Sequence, residues 1–162
     1  MTIIGIDPGS THSGICLIES GNQSKPNIIL ADKIANETLY LYLRYERSKD
    51  SVVAIEDFIS YGTGGKSSSD TSENIGQIKM IAIYERFELV KYTRREYGQW
   101  ITAGGKLNDA TLRAGLESIY GPSAKKTDPL YPLRGASDKR SAFAVAKYHE
   151  FMATRVAVAG GV

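Results

Sequence analysis

Val52, Val53, Ala54 and Ile55 leave no polar position in four consecutive residues. A strand with one wet face alternates apolar and polar residues, so this run belongs to a strand buried on both faces. Such a strand lies inside a sheet with helices packed on either side, and the rest of the chain fits that frame. Residues 2–6 form a short apolar strand stopped by Pro8 and Gly9. Residues 14–18 and 27–32 make two more strands, the first joined to 2–6 as a hairpin. Residues 51–58 and 88–92 complete five. Between and after them lie helical patterns. Asn36 caps one with Leu39 and Leu43 inward, and Ile75, Ile78, Ile81 and Ala82 line another. Asn108 or Asp109 begins a third, with Leu112, Leu116 and Ile119 on one side. Ser137 caps the last, with Ala142, Val145 and His149 inward. Residues 62–70 are a polar loop, and residues 121–132 are irregular around Pro122, Pro129 and Pro132. The order predicts an α/β fold: a mixed five-stranded sheet, opened by a three-strand meander, with helices on both faces. A length of 162 residues suits one domain, placed over 1–155, with 156–162 as a frayed tail.

Composition narrows the class. Hydrophobic residues make up 42% and charged residues 23%, an ordinary globular balance. No apolar run is long enough to span a bilayer, so no membrane partner is expected. The start lacks a basic region and a cleavage site, and a single cysteine, Cys16, excludes an internal disulfide. These features point to the cytoplasm of a bacterial cell or a phage-infected host. A net charge of +2 is too mild to argue nucleic-acid binding by itself. Its distribution adds two basic stretches: Lys91, Arg94, Arg95 and Lys106, then Lys125, Lys126, Arg134, Lys139 and Arg140.

Three acids stand where chemistry can use them. Asp7 ends an apolar strand and enters a Pro-Gly turn. Glu56 follows the buried run 52–55, where an unpaired carboxylate is costly. Alternation turns the adjacent Asp57 to the other face. Asp138 opens the last helix. Each also has an ordinary structural role, as a turn former, a paired buried acid or a helix-dipole partner. Together they are hard oxygen ligands unaccompanied by histidine or cysteine at zinc spacing, a set suited to Mg2+ or Mn2+.

The segment from Gly5 to Gly14, Gly-Ile-Asp-Pro-Gly-Ser-Thr-His-Ser-Gly, resembles the opening motif of RuvC-type Holliday junction resolvases, of the RNase H-like superfamily. Val53 to Phe58 is similar to that family's second-acid strand, and Ser72 to Gln77 to a Leu-Gly-Gln-like helix. Tyr92 to Tyr97 followed by Gly104 and Gly105, then Asp138 to Ala146, resemble its later segments. The five motifs occur in order over residues 2 to 150. Differences in the loops point to a phage-encoded or otherwise divergent member rather than a housekeeping bacterial one.

The resemblance implies an RNase H-like fold and a homodimer that nicks four-way DNA junctions with two Mg2+ ions per site. It carries Asp7, Glu56 and Asp138 over as metal ligands and catalytic groups. Ser141 stands where the family usually has another aspartate and is expected to face the metals. Asp109 stands where the family has a lysine, with Lys106 three residues earlier. Arg94, Arg95, Lys106, Lys139 and Arg140 are candidate phosphate contacts. Phe58 and Tyr61 are candidates for stacking on an unpaired base, or else a core residue and a loop tyrosine. Forks, flaps and other branched DNA remain alternative substrates, and a non-catalytic junction-binding domain is a further alternative. A sugar-kinase or actin-like ATPase needs more than twice this length.

Overall fold

The computed structural model describes residues 1–21, 25–58 and 65–159. Five strands, β1 (Thr2–Asp7), β2 (His12–Glu19), β3 (Asn27–Ala35), β4 (Val52–Asp57) and β5 (Leu89–Thr93), lie in the order β3-β2-β1-β4-β5. The β1–β2 and β2–β3 pairs are antiparallel, and β4 is parallel to both β1 and β5. The meander and the mixed sheet are as the sequence predicts. The run 52–55 lies in β4, flanked by β1 and β5 and buried throughout.

Alternate residues of each strand feed two cores. Ile4, Ile6, Ile15, Leu17, Val53 and Ile55 pack with α1 (Asn36–Leu41), its π-helical continuation Tyr42–Glu46, and α2 (Lys66–Glu85). Ile3, Cys16, Ile18 and Ala54 pack on the other side, against α3 (Arg94–Thr102), α4 (Asp109–Tyr120) and α5 (Ser137–Ala159). Fully burying one such aliphatic side chain contributes about 1.5–3 kcal/mol.

Several local expectations change. Residues 66–70, expected in a polar loop, open α2, while 62–64 lie outside the described residues. Residues 94–102, to which the apolar pattern assigned no element, are helical, because Thr93 and Glu96 form a reciprocal capping box that starts α3. On α4 the inward residue of the last turn is Tyr120, and Ile119 faces outward. Asn36 and Ser137 are the first helical residues rather than caps. The last helix runs on to Ala159, past residue 156, where the composition suggested fraying.

Close backbone approach fixes α5 on the sheet. A Cβ on Gly5 would lie 1.9 Å from the Ala142 carbonyl oxygen, and one on Gly14 would lie 2.2 Å from the Asp138 carbonyl oxygen. Only glycine admits the helix at that distance. The start of α5 therefore rests on β1 and β2 beside Asp7.

Candidate active site

Strand register builds the site. Lys33 on β3 faces Gly14 on β2, and Gly14 faces Asp7 on β1. The parallel pairing of Ile6 with Ile55 brings Glu56 of β4 beside Asp7, and Glu56 faces Tyr92 on β5. Residues opposite one another on neighbouring strands share a face. Lys33, Gly14, Asp7, Glu56 and Tyr92 thus form one row across all five strands, on the α5 side. Asp138, in the first turn of α5, fills the gap that Gly14 leaves in the row. Asp57 turns to the opposite face, as alternation predicts, and pairs with Lys91 at 3.1 Å.

The carboxylates differ in their support. Burial, then the charges of Glu56 and Asp138, push Asp7 up to about 8, although Arg94 and a hydrogen bond from Ser141 oppose the shift. Glu56 is 9% exposed. Burial raises its pKa too, against the hydrogen bond from Tyr97 and the charge of Arg94. The Tyr97 hydroxyl donates to Glu56 Oε2 at 2.5 Å, and Arg94 lies 3.9 Å from Oε1. Arg94 is also bound to Asp109 Oδ1 at 3.0 Å. Asp138 Oδ2 pairs with Lys33 Nζ at 2.6 Å, and its Oδ1 accepts from Ser137 at 3.3 Å. Asp7, Asp138 and Lys33 line a cavity of about 300 Å³, together with residues 8–12 and with Ser67 and Thr71 of α2.

On the far side of the sheet, a polar network holds the turn after Asp7. Asn74 of α2 donates to the Gly9 carbonyl at 2.9 Å and to Ser13 Oγ at 3.0 Å. Asn36 donates to the Gly9 and Ser10 carbonyls and accepts from Ser13 at 2.8 Å. Asn36 therefore spends its side chain on this turn instead of capping a helix.

The expected acids come together: Asp7, Glu56, Asp138 and the buried Ser141 meet at the middle of the row. Among the described residues, no three acids, histidines or cysteines close into a finished cation cage. Asp138 is turned to Lys33, and Glu56 to Tyr97 and Arg94. The donor set nevertheless fits a divalent cation, because its oxygens are hard ligands and the repulsion that lifts Asp7 is what a cation relieves.

The basic candidates divide. Arg94 belongs to the acid cluster, whereas Arg95 and Lys106 are exposed. Lys139 and Arg140 bond to the carbonyls of Pro132 and Leu133 and not to the acids. Phe58 is 41% exposed just beyond β4, and Tyr61 lies outside the described residues. Sequence reading missed Lys33 and Tyr97. The Thr93-x-x-Glu96 pattern was the available signal for Tyr97, since it starts the helix that carries it. Lys33 had no signal short of the strand register.

The sheet order, with helices on both faces, is that of an RNase H-like fold, and a cluster of carboxylates lies on its α5 side. No known family profile matches the chain. In sequence it is 27% identical over 135 residues to the crossover junction endodeoxyribonuclease RuvC of Caldicellulosiruptor saccharolyticus, spanning 76% of this chain and 81% of that one. In structure it is similar to Thermus thermophilus RuvC, with a TM-score of 0.70, 20% identity and 96% of each chain covered. Against T. thermophilus RuvC in complex with Holliday junction substrate, the TM-score is 0.72 at 19% identity, over 94% of each chain. The Fowlpox virus resolvase in its junction complex gives 0.59 at 16% identity, over 94% of this chain and 98% of that one. The chain is thus similar to RuvC in sequence and shares its fold.

Proposed function

We propose that this chain is a Holliday junction resolvase, a metal-dependent endodeoxyribonuclease that nicks four-way DNA junctions symmetrically. The reading rests on Asp7, lifted by burial and by the charges of Glu56 and Asp138 beside it, and on the cavity that Asp7 and Asp138 line. Asp7 sits between its partners and would be shared by two Mg2+ ions, with Mn2+ able to replace them. Glu56 would complete the shell of one ion and Asp138 that of the other. Bound divalent ions supply an activated water for in-line attack and a stabilised leaving oxygen.

The chain's own groups prepare that chemistry. Ser141 donates to Asp7 and orients its carboxylate. Tyr97 holds Glu56 Oε2 and leaves Oε1 toward the site. Asp109 fixes Arg94 beside Glu56, so a positive charge waits where phosphate charge arrives. Arg95 and Lys106, both exposed, suit backbone phosphates, and Phe58 suits stacking on an unpaired base.

A four-way junction has two-fold symmetry, so paired cuts call for two sites related by the same symmetry. The outer face of α2 is the proposed homodimer surface, where Ile83 is 70% and Tyr84 78% exposed beside Met80. The test is a panel of labelled four-way junctions, forks, flaps and duplexes, incubated with and without Mg2+. Symmetric nicks confined to the junction and to Mg2+ support the reading. Equal cutting of forks and flaps makes the chain a broader branch nuclease, and no cutting at all makes it a binding domain.

A further inference from the structure

Lys33 lies outside every motif that carries the family resemblance. Its place follows from register, two strands from Asp7 and opposite the glycine over which α5 settles. That arrangement sets Asp138 between Lys33 and Asp7. Lys33 Nζ is 2.6 Å from Asp138 Oδ2, and the lysine lines the same cavity as both acids. We propose that Lys33 is a substrate-binding residue gated by the cation: it holds Asp138 until a divalent ion takes that carboxylate, and then binds a phosphate of the strand in the groove. This rests on the reading of the site as a metal-dependent nuclease.

Three features support the exchange. The Lys33 side chain is 49% exposed, and an exposed ion pair is weak and screened by salt, so a divalent ion held by several carboxylates displaces it. Lysine is a compact charge on a flexible stem with three donors, able to move from a carboxylate to a nearby phosphate without a fixed bonding plane. Arg94 is placed differently. Its guanidinium bonds Asp109 and also lies 3.9 Å from the buried Glu56, so two carboxylates hold it where one holds Lys33. The site then has a more firmly held cation on the α3 side and a movable one on the β3 side. Before metal binds, Lys33 also quiets the repulsion between Asp138 and Asp7 (it lies close enough to Asp7 to feel its charge).

Lys33→Met separates this from a plain surface ion pair. Without DNA, the Mg2+ concentration giving half-maximal thermal stabilisation should fall by about two- to fivefold, because the competing ammonium is gone. With Ca2+ in place of Mg2+ to hold off cutting, the variant should bind a synthetic four-way junction more weakly. The slope of log affinity against log salt should become shallower by about one. Lys33→Arg should restore that slope. An unchanged Mg2+ midpoint or an unchanged salt slope in Lys33→Met overturns the proposal alone. A wild-type protein that Mg2+ does not stabilise overturns the metal-site reading and this proposal with it.

Discussion

Asp7 is the residue at which burial and like charge meet most strongly in the site. Its carboxyl is held up to about 8, against an ordinary value of 3.8. Between those values the folded protein binds more protons at Asp7 than the unfolded chain does. Stability without metal should therefore fall as pH rises from about 4 to 8, by at most about 1.4 kcal/mol per pH unit from this group. Asp7→Asn mimics the protonated form. The variant should match wild type near pH 4 and become the more stable protein toward pH 8, as read from urea midpoints in chelator. A stability difference that does not change with pH would show that Asp7 does not titrate in this window. Divalent metal should close the gap by binding the native state. Ser141 is the second residue with a sharp outcome. It is buried and bonds Asp7, which is where a fourth carboxylate would add charge to the cation site. Ser141→Asp should lower the Mg2+ concentration for half-maximal cutting, and Ser141→Ala should reduce activity modestly. Overlapping Mg2+ curves for Ser141→Asp and wild type would remove Ser141 from the metal site.

At the scale of elements, the site depends on how closely α5 approaches β1 and β2. Gly14→Ala places a methyl group against the Asp138 carbonyl. It should destabilise the fold by about 1–3 kcal/mol and lower activity further than the loss of folded protein explains, because Asp138 moves from Asp7. Activity normalised to folded fraction checks this. The Gly5-Ile-Asp motif was legible in the sequence as a strand ending in an acid, but the reason for its glycine lies in a helix more than a hundred residues away. The same limit explains the other gaps. Apolar period located β1, β4, α2 and α4, since their inward faces are written in consecutive residues. It passed over α3, whose first turn is polar and whose inward residues Tyr97, Gly98 and Ile101 make a weak stripe. Tyr97 was lost with it. Lys33 was invisible because its function depends on three strands being in register. Asp7 and Glu56 stood out because a carboxylate at the end of an apolar strand is anomalous locally, whereas Asp138, an ordinary acid opening a helix, stood out through the resemblance of the last motif.

At the scale of the whole molecule, the described residues supply an acid cluster and an exposed apolar face on α2. The apolar face should make the dimer. Ile83→Glu together with Tyr84→Glu should shift the protein to monomer by light scattering at micromolar concentration, with little loss of thermal stability, since both side chains are exposed. Paired nicks should then decay into single, uncoordinated ones. A double variant that stays dimeric would place the interface elsewhere. The central claim is that Asp7, Glu56 and Asp138 form a metal-dependent site for cutting four-way junctions. Its most direct measurement is single-turnover cleavage of a labelled junction by wild type, Asp7→Asn, Glu56→Gln and Asp138→Asn in Mg2+, with junction binding measured in parallel. Wild type should cut symmetrically, each variant should lose several orders of magnitude in rate, and binding should be retained or tightened as negative charge leaves the groove. Near wild-type cutting by any of the three variants, or cutting by wild type in chelator, would contradict that claim.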